Sequence, residues 1–145
     1  MKKLMRKRLE VFLEFLIFGV IIGLVENIIA LHFASDVVIN FRAVLIAFLV
    51  VVPFAGLGEL IVDQTRIISR INKIKRFHKL NVFLEFFIFG VVMGVVEDLI
   101  VIGLVTGEPI TLEVIGIVTL VTLPFAILGE LVVDRKDWAR LFRKI

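Results

Sequence analysis

Long apolar runs separated by short polar and basic segments organise this chain. Four runs stand out, at about 11–33, 42–63, 82–105 and 111–133. Each approaches the ~20 residues that an α-helix needs to cross the hydrocarbon of a bilayer. A membrane-barrel strand would alternate apolar and polar positions over about ten residues, which these runs do not do. The pattern predicts an all-α integral membrane protein with four transmembrane helices.

The second pair of runs copies the first. Residues 11–30 read VFLEFLIFGVIIGLVENIIA and residues 82–101 read VFLEFFIFGVVMGVVEDLIV, an offset of 71 with 13 of 20 positions identical. The same offset carries PFAGLGELIVD (53–63) onto PFAILGELVVD (124–134), with 9 of 11 identical. Between 31–52 and 102–123 only 4 of 22 positions match, so the copy is best kept toward one membrane face. The chain therefore reads as two tandem helical hairpins, repeat 1 over 1–70 and repeat 2 over 71–145, joined in a single membrane domain. An even number of spans per repeat sends both hairpins into the membrane in the same direction. Their pseudo-two-fold axis is expected along the membrane normal, unlike the in-plane axis of inverted-repeat carriers.

Charge fixes the orientation. Of 17 Lys and Arg, sixteen lie in the N-terminal arm, the linker between spans two and three, and the C-terminal tail; the other is Arg42. By the positive-inside rule those three segments are cytoplasmic, and the loops near Asp36 and Glu108 face outward. The expected location is the inner cell membrane, multi-pass, with both termini cytoplasmic. The start MKKLMRKR resembles a signal n-region, but the run after it is a full span without a small-residue cleavage site, so a retained helix is expected. The linker (65–80) and the tail (137–145) set Ile67, Ile68, Ile71, Ile74 and Phe77, and Trp138, Leu141, Phe142 and Ile145, opposite basic residues. They read as amphipathic helices on the cytoplasmic surface, in contact with membrane lipids.

Composition agrees and excludes several chemistries. Hydrophobic residues make up 60% and the mean hydropathy is +1.08, well above a soluble domain. There is no cysteine, hence no disulfide, thiolate site or cysteine nucleophile. No phosphate-cradling glycine motif is present and no nucleophile has an acid–base partner in sight, so no enzyme activity is expected. The net charge of +3 is confined to membrane-flanking segments and does not indicate nucleic acid.

Acids inside the spans carry the functional reading. Glu14, Glu26, Glu59, Glu85, Glu97, Asp98 and Glu130 lie within them, and Asp63 and Asp134 at the inner ends of spans two and four. No Lys or Arg lies inside the apolar runs to pair with them, apart from Arg42 at the edge of the second. A charged side chain at mid-bilayer costs ~2.5 kcal/mol or more, so these acids need protons, water or a cation. Depth along the spans places Glu14, Glu59, Glu85 and Glu130 in one inner layer, with Asp63 and Asp134 just below at i,i+4 from Glu59 and Glu130. Facing the interior, this set is expected to bind a hard divalent cation such as Mg²⁺, Mn²⁺ or Ca²⁺. Fe or Zn fits less well, and the Glu-x-x-His motif of di-iron bundles is absent.

Glu26 and Glu97, with Asp98, form a deeper set read as a proton or ion relay. Gly19-x-x-x-Gly23 and Gly90-x-x-x-Gly94 share their helix face and are expected to let spans one and three cross closely. Asn27 and Asp98 are one helical step off that face. Pro53 and Pro124, at matched positions, each remove a helix hydrogen bond and mark expected kinks. The leading expectation is binding or passage of a cation, a divalent metal ion first, through a carboxylate-lined interior. A proton-coupled carrier of a small solute using Glu26 and Glu97 is the first alternative. A non-catalytic scaffold, as a homodimer or a subunit of a larger membrane complex, is the second.

Overall fold

The computed structural model describes the backbone of residues 2–71 and 77–134 and the side chains of residues 5–61 and 84–131. Four helices follow in order: α1 (Lys2–Ala34), α2 (Phe41–Ile71), α3 (Phe77–Thr106) and α4 (Leu112–Asp134). Each contains a stretch long and apolar enough to cross a membrane: Met5–Ala34, Phe41–Ile61, Leu84–Thr106 and Leu112–Leu131. This is the mark of an all-helical, multi-pass membrane protein. α1 runs back into the basic arm because Lys, Arg, Leu and Met there all favour helix.

The hairpin turns are short, and side chains seal them. Asn40 Oδ1 accepts the Ala43 amide at 3.0 Å and caps the start of α2. Thr111 Oγ1 accepts the Val114 amide at 3.3 Å and does the same for α4. The two caps are 71 residues apart, so different residue types perform one task at the matched position. Gly107 ends α3 with φ 69°, a left-handed conformation that glycine adopts without a Cβ clash.

α1 and α3 each touch the other three helices, while α2 and α4 do not meet among the described residues. Thus α1 and α3 form the central pair, flanked on opposite sides by α2 and α4. At the end bearing the hairpin turns the bundle is tightly closed. Ala30, Leu31, Ala43, Ile102 and Val118 form the buried core there, each at most 4% exposed. Two of those five are alanines, whose small side chains allow helix backbones to approach. The outward faces carry large exposed apolar side chains, among them Ile17, Ile21, Phe18, Leu49, Val92 and Leu120. In water such a belt would drive association, whereas lipid covers it without cost.

Pro53 and Pro124 sit within continuous α2 and α4. Both are exposed, as are Leu49 and Leu120 four residues before them. The prolines therefore lie on the outer faces of α2 and α4 and do not border the interior. Asp63 and Asp134 lie in helices, but their side chains fall outside the described residues, as do the side chains of the linker and the whole tail.

Candidate functional site

The half of the bundle nearer the N-terminus is not filled. A cleft of about 280 Å³ lies between the four helices there, extending from Phe15, Phe86, Glu59 and Glu130 at one end to Glu26 and Glu97 at the other. Beyond Glu26 and Glu97 the closed core of Ala30, Leu31, Ile102 and Val118 ends it. Of its lining residues, Phe15, Gly19, Ile22, Gly23 and Glu26 of α1 recur 71 positions on as Phe86, Gly90, Met93, Gly94 and Glu97 of α3. Likewise Val51, Phe54, Ala55, Gly58 and Glu59 of α2 recur as Thr122, Phe125, Ala126, Gly129 and Glu130 of α4. Most of the wall is thus drawn from matched positions of the two hairpins; among the described residues, Ile61 and Phe89 line it without a matched partner there.

The glycines set the spacing of the helices. A methyl group on Gly19 would lie 3.6 Å from Ala55 Cβ, and one on Gly90 would lie 4.0 Å from Ala126 Cβ. One turn deeper the fit is tighter. A methyl on Gly23 would lie 3.0 Å from Val51 Cγ1 and 3.5 Å from Glu97 Oε1, and one on Gly94 would lie 2.6 Å from Thr122 Cγ2 and 3.3 Å from Glu26 Oε1. The outer glycine of each motif therefore packs within its own hairpin. The inner one makes room both for its hairpin partner and for the acid of the other repeat. This differs from a plain crossing of spans one and three. Each glutamate reaches across to the glycine that precedes the opposite glutamate by one turn. Helical side chains lean toward their own N-terminus, which brings both carboxyl groups down to the Gly23–Gly94 level, at the base of the cleft.

Three further side chains complete this base. Asn27 and Asp98 are each 1% exposed, and so is Thr122. Asn27 Nδ2 donates to Glu97 Oε1 at 2.8 Å and to the Gly23 carbonyl at 2.9 Å. Thr122 Oγ1 is 3.1 Å from Asp98 Oδ2 and 2.9 Å from the Val118 carbonyl, and its single proton is shared between them. Glu26 Oε1 and Asn27 Oδ1 are buried acceptors that receive no hydrogen bond. Three carboxyl groups, one amide and one hydroxyl thus meet near mid-bundle. The base is rich in acceptors and poor in donors, and the Lys and Arg residues of the four spans lie only at their ends, at Arg6–Arg8 and Arg42.

The acids expected to form the other layer separate. Glu59 and Glu130 border the cleft mouth, whereas Glu14 and Glu85 are exposed on the outside of α1 and α3. The reason is angular. Glu14 precedes Glu26 by twelve residues, which at 3.6 residues per turn leaves it about 120° around the helix from the cleft face. Glu85 stands in the same relation to Glu97. The expectation that Glu14, Glu59, Glu85 and Glu130 all face the interior is therefore corrected for Glu14 and Glu85. No group of three or more His, Asp or Glu side chains with metal-holding geometry occurs among the described residues. Asn27, given no role from the sequence, and Thr122, not singled out there, are the further polar side chains at the base. Each is a polar residue within a span, and each sits opposite a different residue in the repeat (Asp98 and Val51).

Comparison of this chain with protein-family models, with curated proteins and with solved structures finds no match in any of the three.

Proposed function

We propose that this protein binds a cation at the base of the cleft and carries it across the membrane, with Glu26, Glu97 and Asp98 as its counter-charges. The observation that carries the reading is the acceptor-rich base itself: three carboxyl groups, two orphan buried acceptors and no basic side chain. Ionised, these groups would repel one another in a medium of low dielectric. Protons or a bound cation neutralise them, and exchange of one for the other is the chemistry that such a site offers.

The two hairpins in this reading are related by a two-fold axis along the membrane normal. Support comes from the matched lining positions and from the reciprocal reach of Glu26 to Gly94 and Glu97 to Gly23. The basic segments set the termini in the cytoplasm, so the cleft opens inward and the packed core of Ala30, Leu31, Ile102 and Val118 seals the outer side. Glu59 and Glu130 at the mouth add negative potential that draws cations toward the base. Passage then requires the seal to open, as in other alternating-access devices.

The test is transport. Proteoliposomes loaded with a pH-sensitive dye should show proton movement when a permitted cation is added on one side. Glu26→Gln with Glu97→Gln should abolish it. Equal proton movement by wild type and double variant would remove the acids from the mechanism. The exposed Glu14 and Glu85 favour one additional reading, a contact with a second copy or with another subunit. A change of oligomeric state in Glu14→Gln with Glu85→Gln would reveal it.

A further inference from the structure

The wall of the cleft and the orphan acceptors at its base together narrow the cation. Antiparallel packing fixes the levels. Gly19 lies beside Ala55 and Gly23 beside Val51, so Phe54 borders the cleft about one turn below the carboxyl groups, and Phe125 does so in the other hairpin. Ile22 and Met93 line the same level. The carboxyl groups are therefore approached through an apolar, partly aromatic sleeve. A divalent ion stripped of water wants about six oxygen ligands on all sides; the wall at the level of Phe54 and Phe125 offers no side-chain oxygen, and the next carboxyl groups, Glu59 and Glu130, lie away at the mouth. The cleft volume, about 280 Å³, is at the lower limit of the ~300–1,000 Å³ of ligand pockets. It has room for a small organic molecule.

The base specifies the charged end. Glu26 lines the cleft, and its Oε1 is a buried acceptor without a donor. Asn27 is 1% exposed, and its Oδ1 is also without a donor, on the same amide that holds Glu97 Oε1 at 2.8 Å. Two unpaired acceptors in a buried, acid-lined layer are each costly. A ligand that carries N–H groups on a positive centre satisfies the charge and offers donors to the Glu26 and Glu97 carboxyl groups that line the cleft. A quaternary ammonium satisfies the charge alone. Phenylalanine faces favour a cation within about 6 Å of the ring, and they replace the water that the organic part of the ligand gives up.

We propose that the ligand class is a small protonated amine with an apolar or aryl body, its N–H groups on Glu26 and Glu97 with the Asn27 carbonyl behind them and its body between Phe54 and Phe125. The proposal rests on the cation-binding reading above and names the cation. Thermal unfolding of the purified full chain in detergent tests it with benzylammonium, methylammonium, benzyltrimethylammonium and Mg²⁺ or Mn²⁺ as probes.

Benzylammonium should raise the midpoint and bind at least tenfold more tightly than benzyltrimethylammonium. Phe54→Ala with Phe125→Ala should weaken benzylammonium more than it weakens methylammonium, because only the aryl body meets the rings. The comparison among probes uses wild type alone, so a variant that fails to fold does not block it. A raised midpoint with Mg²⁺ or Mn²⁺ and none with benzylammonium would overturn the amine assignment while leaving a cation site at the base. Equal binding of the primary and quaternary probes would overturn the role given to the orphan acceptors. No response to any probe would take the cation reading down with it.

Discussion

Gly94→Ala separates tight packing at the acid layer from ordinary helix packing. In a free helix the change is favourable, since alanine is preferred over glycine by ~0.5–1 kcal/mol. Here the new methyl would stand 2.6 Å from Thr122 Cγ2 and 3.3 Å from Glu26 Oε1. Carbon atoms in good contact sit at about 3.5–4.0 Å, so one of the two helices must move by roughly 1 Å. Thr122 yields poorly, because a β-branched side chain in a helix has few rotamers and this one is tied to Asp98 and Val118. Overpacking of this kind costs about 1–3 kcal/mol. Gly90→Ala is the internal control: its methyl would meet Ala126 Cβ at an ordinary 4.0 Å, and the helix preference should leave it neutral or slightly stabilised. Free energies from titration with sodium dodecyl sulfate in mixed micelles, followed by circular dichroism, should place Gly94→Ala about 2 kcal/mol below Gly90→Ala, the overpacking cost alone, because the helix preference is common to both. Thr122→Ser deletes the obstructing methyl and keeps the hydroxyl, so it should recover at least half of the Gly94→Ala loss in a double-mutant cycle. Identical stability of the two alanine variants, or strict additivity with Thr122→Ser, would refute the packing described for α3 against α4.

Further outcomes follow from the same geometry. Asn27→Leu removes the donor on Glu97 while keeping the volume, and should destabilise the bundle by about 1 kcal/mol in the same micelle titration. Asn40→Ala and Thr111→Ala each delete a helix cap and should cost ~1 kcal/mol apiece, additively, since the caps serve separate hairpins. Cysteines placed at Ser35 and Thr106 should react with an impermeant maleimide from outside the cell, and one at Ser69 only after permeabilisation; labelling of Ser69 in intact cells would invert the orientation. Glu14→Gln, on the outer face, should leave cation binding unchanged, whereas Glu26→Gln should weaken it at least tenfold in calorimetric titration.

The sequence displays the spans openly because lipid imposes one rule: about twenty apolar residues and a satisfied backbone. Helix ends reach beyond the apolar runs, α1 back to Lys2 and α2 on to Ile71, and in the N-terminal arm Lys, Arg, Leu and Met favour that extension. Depth was equally legible, because 1.5 Å per residue along a span orders the acids. What a run of apolar residues conceals is azimuth. Glu14 and Glu59 share a level, yet one faces out and the other lines the cleft, since a uniformly greasy helix carries no amphipathic stripe to mark its inner side. The face was readable only where small residues fall in register, as at Gly19, Gly23 and Glu26. Thr122 shows the other blind spot. Its importance arises from packing against Gly94 and reaching Asp98, 24 positions away in sequence, and in isolation a span threonine usually bonds its own helix.

The claim on which the account turns is that Glu26, Glu97 and Asp98 hold protons or a cation in exchange at the base of the cleft. Calorimetric titration of a bound cation into the purified protein, repeated in two buffers of different ionisation enthalpy, counts protons released per cation bound. Wild type should release protons on binding, and Glu26→Gln with Glu97→Gln should lose both the release and the binding. Binding without proton release, or release that persists in the double variant, would contradict it.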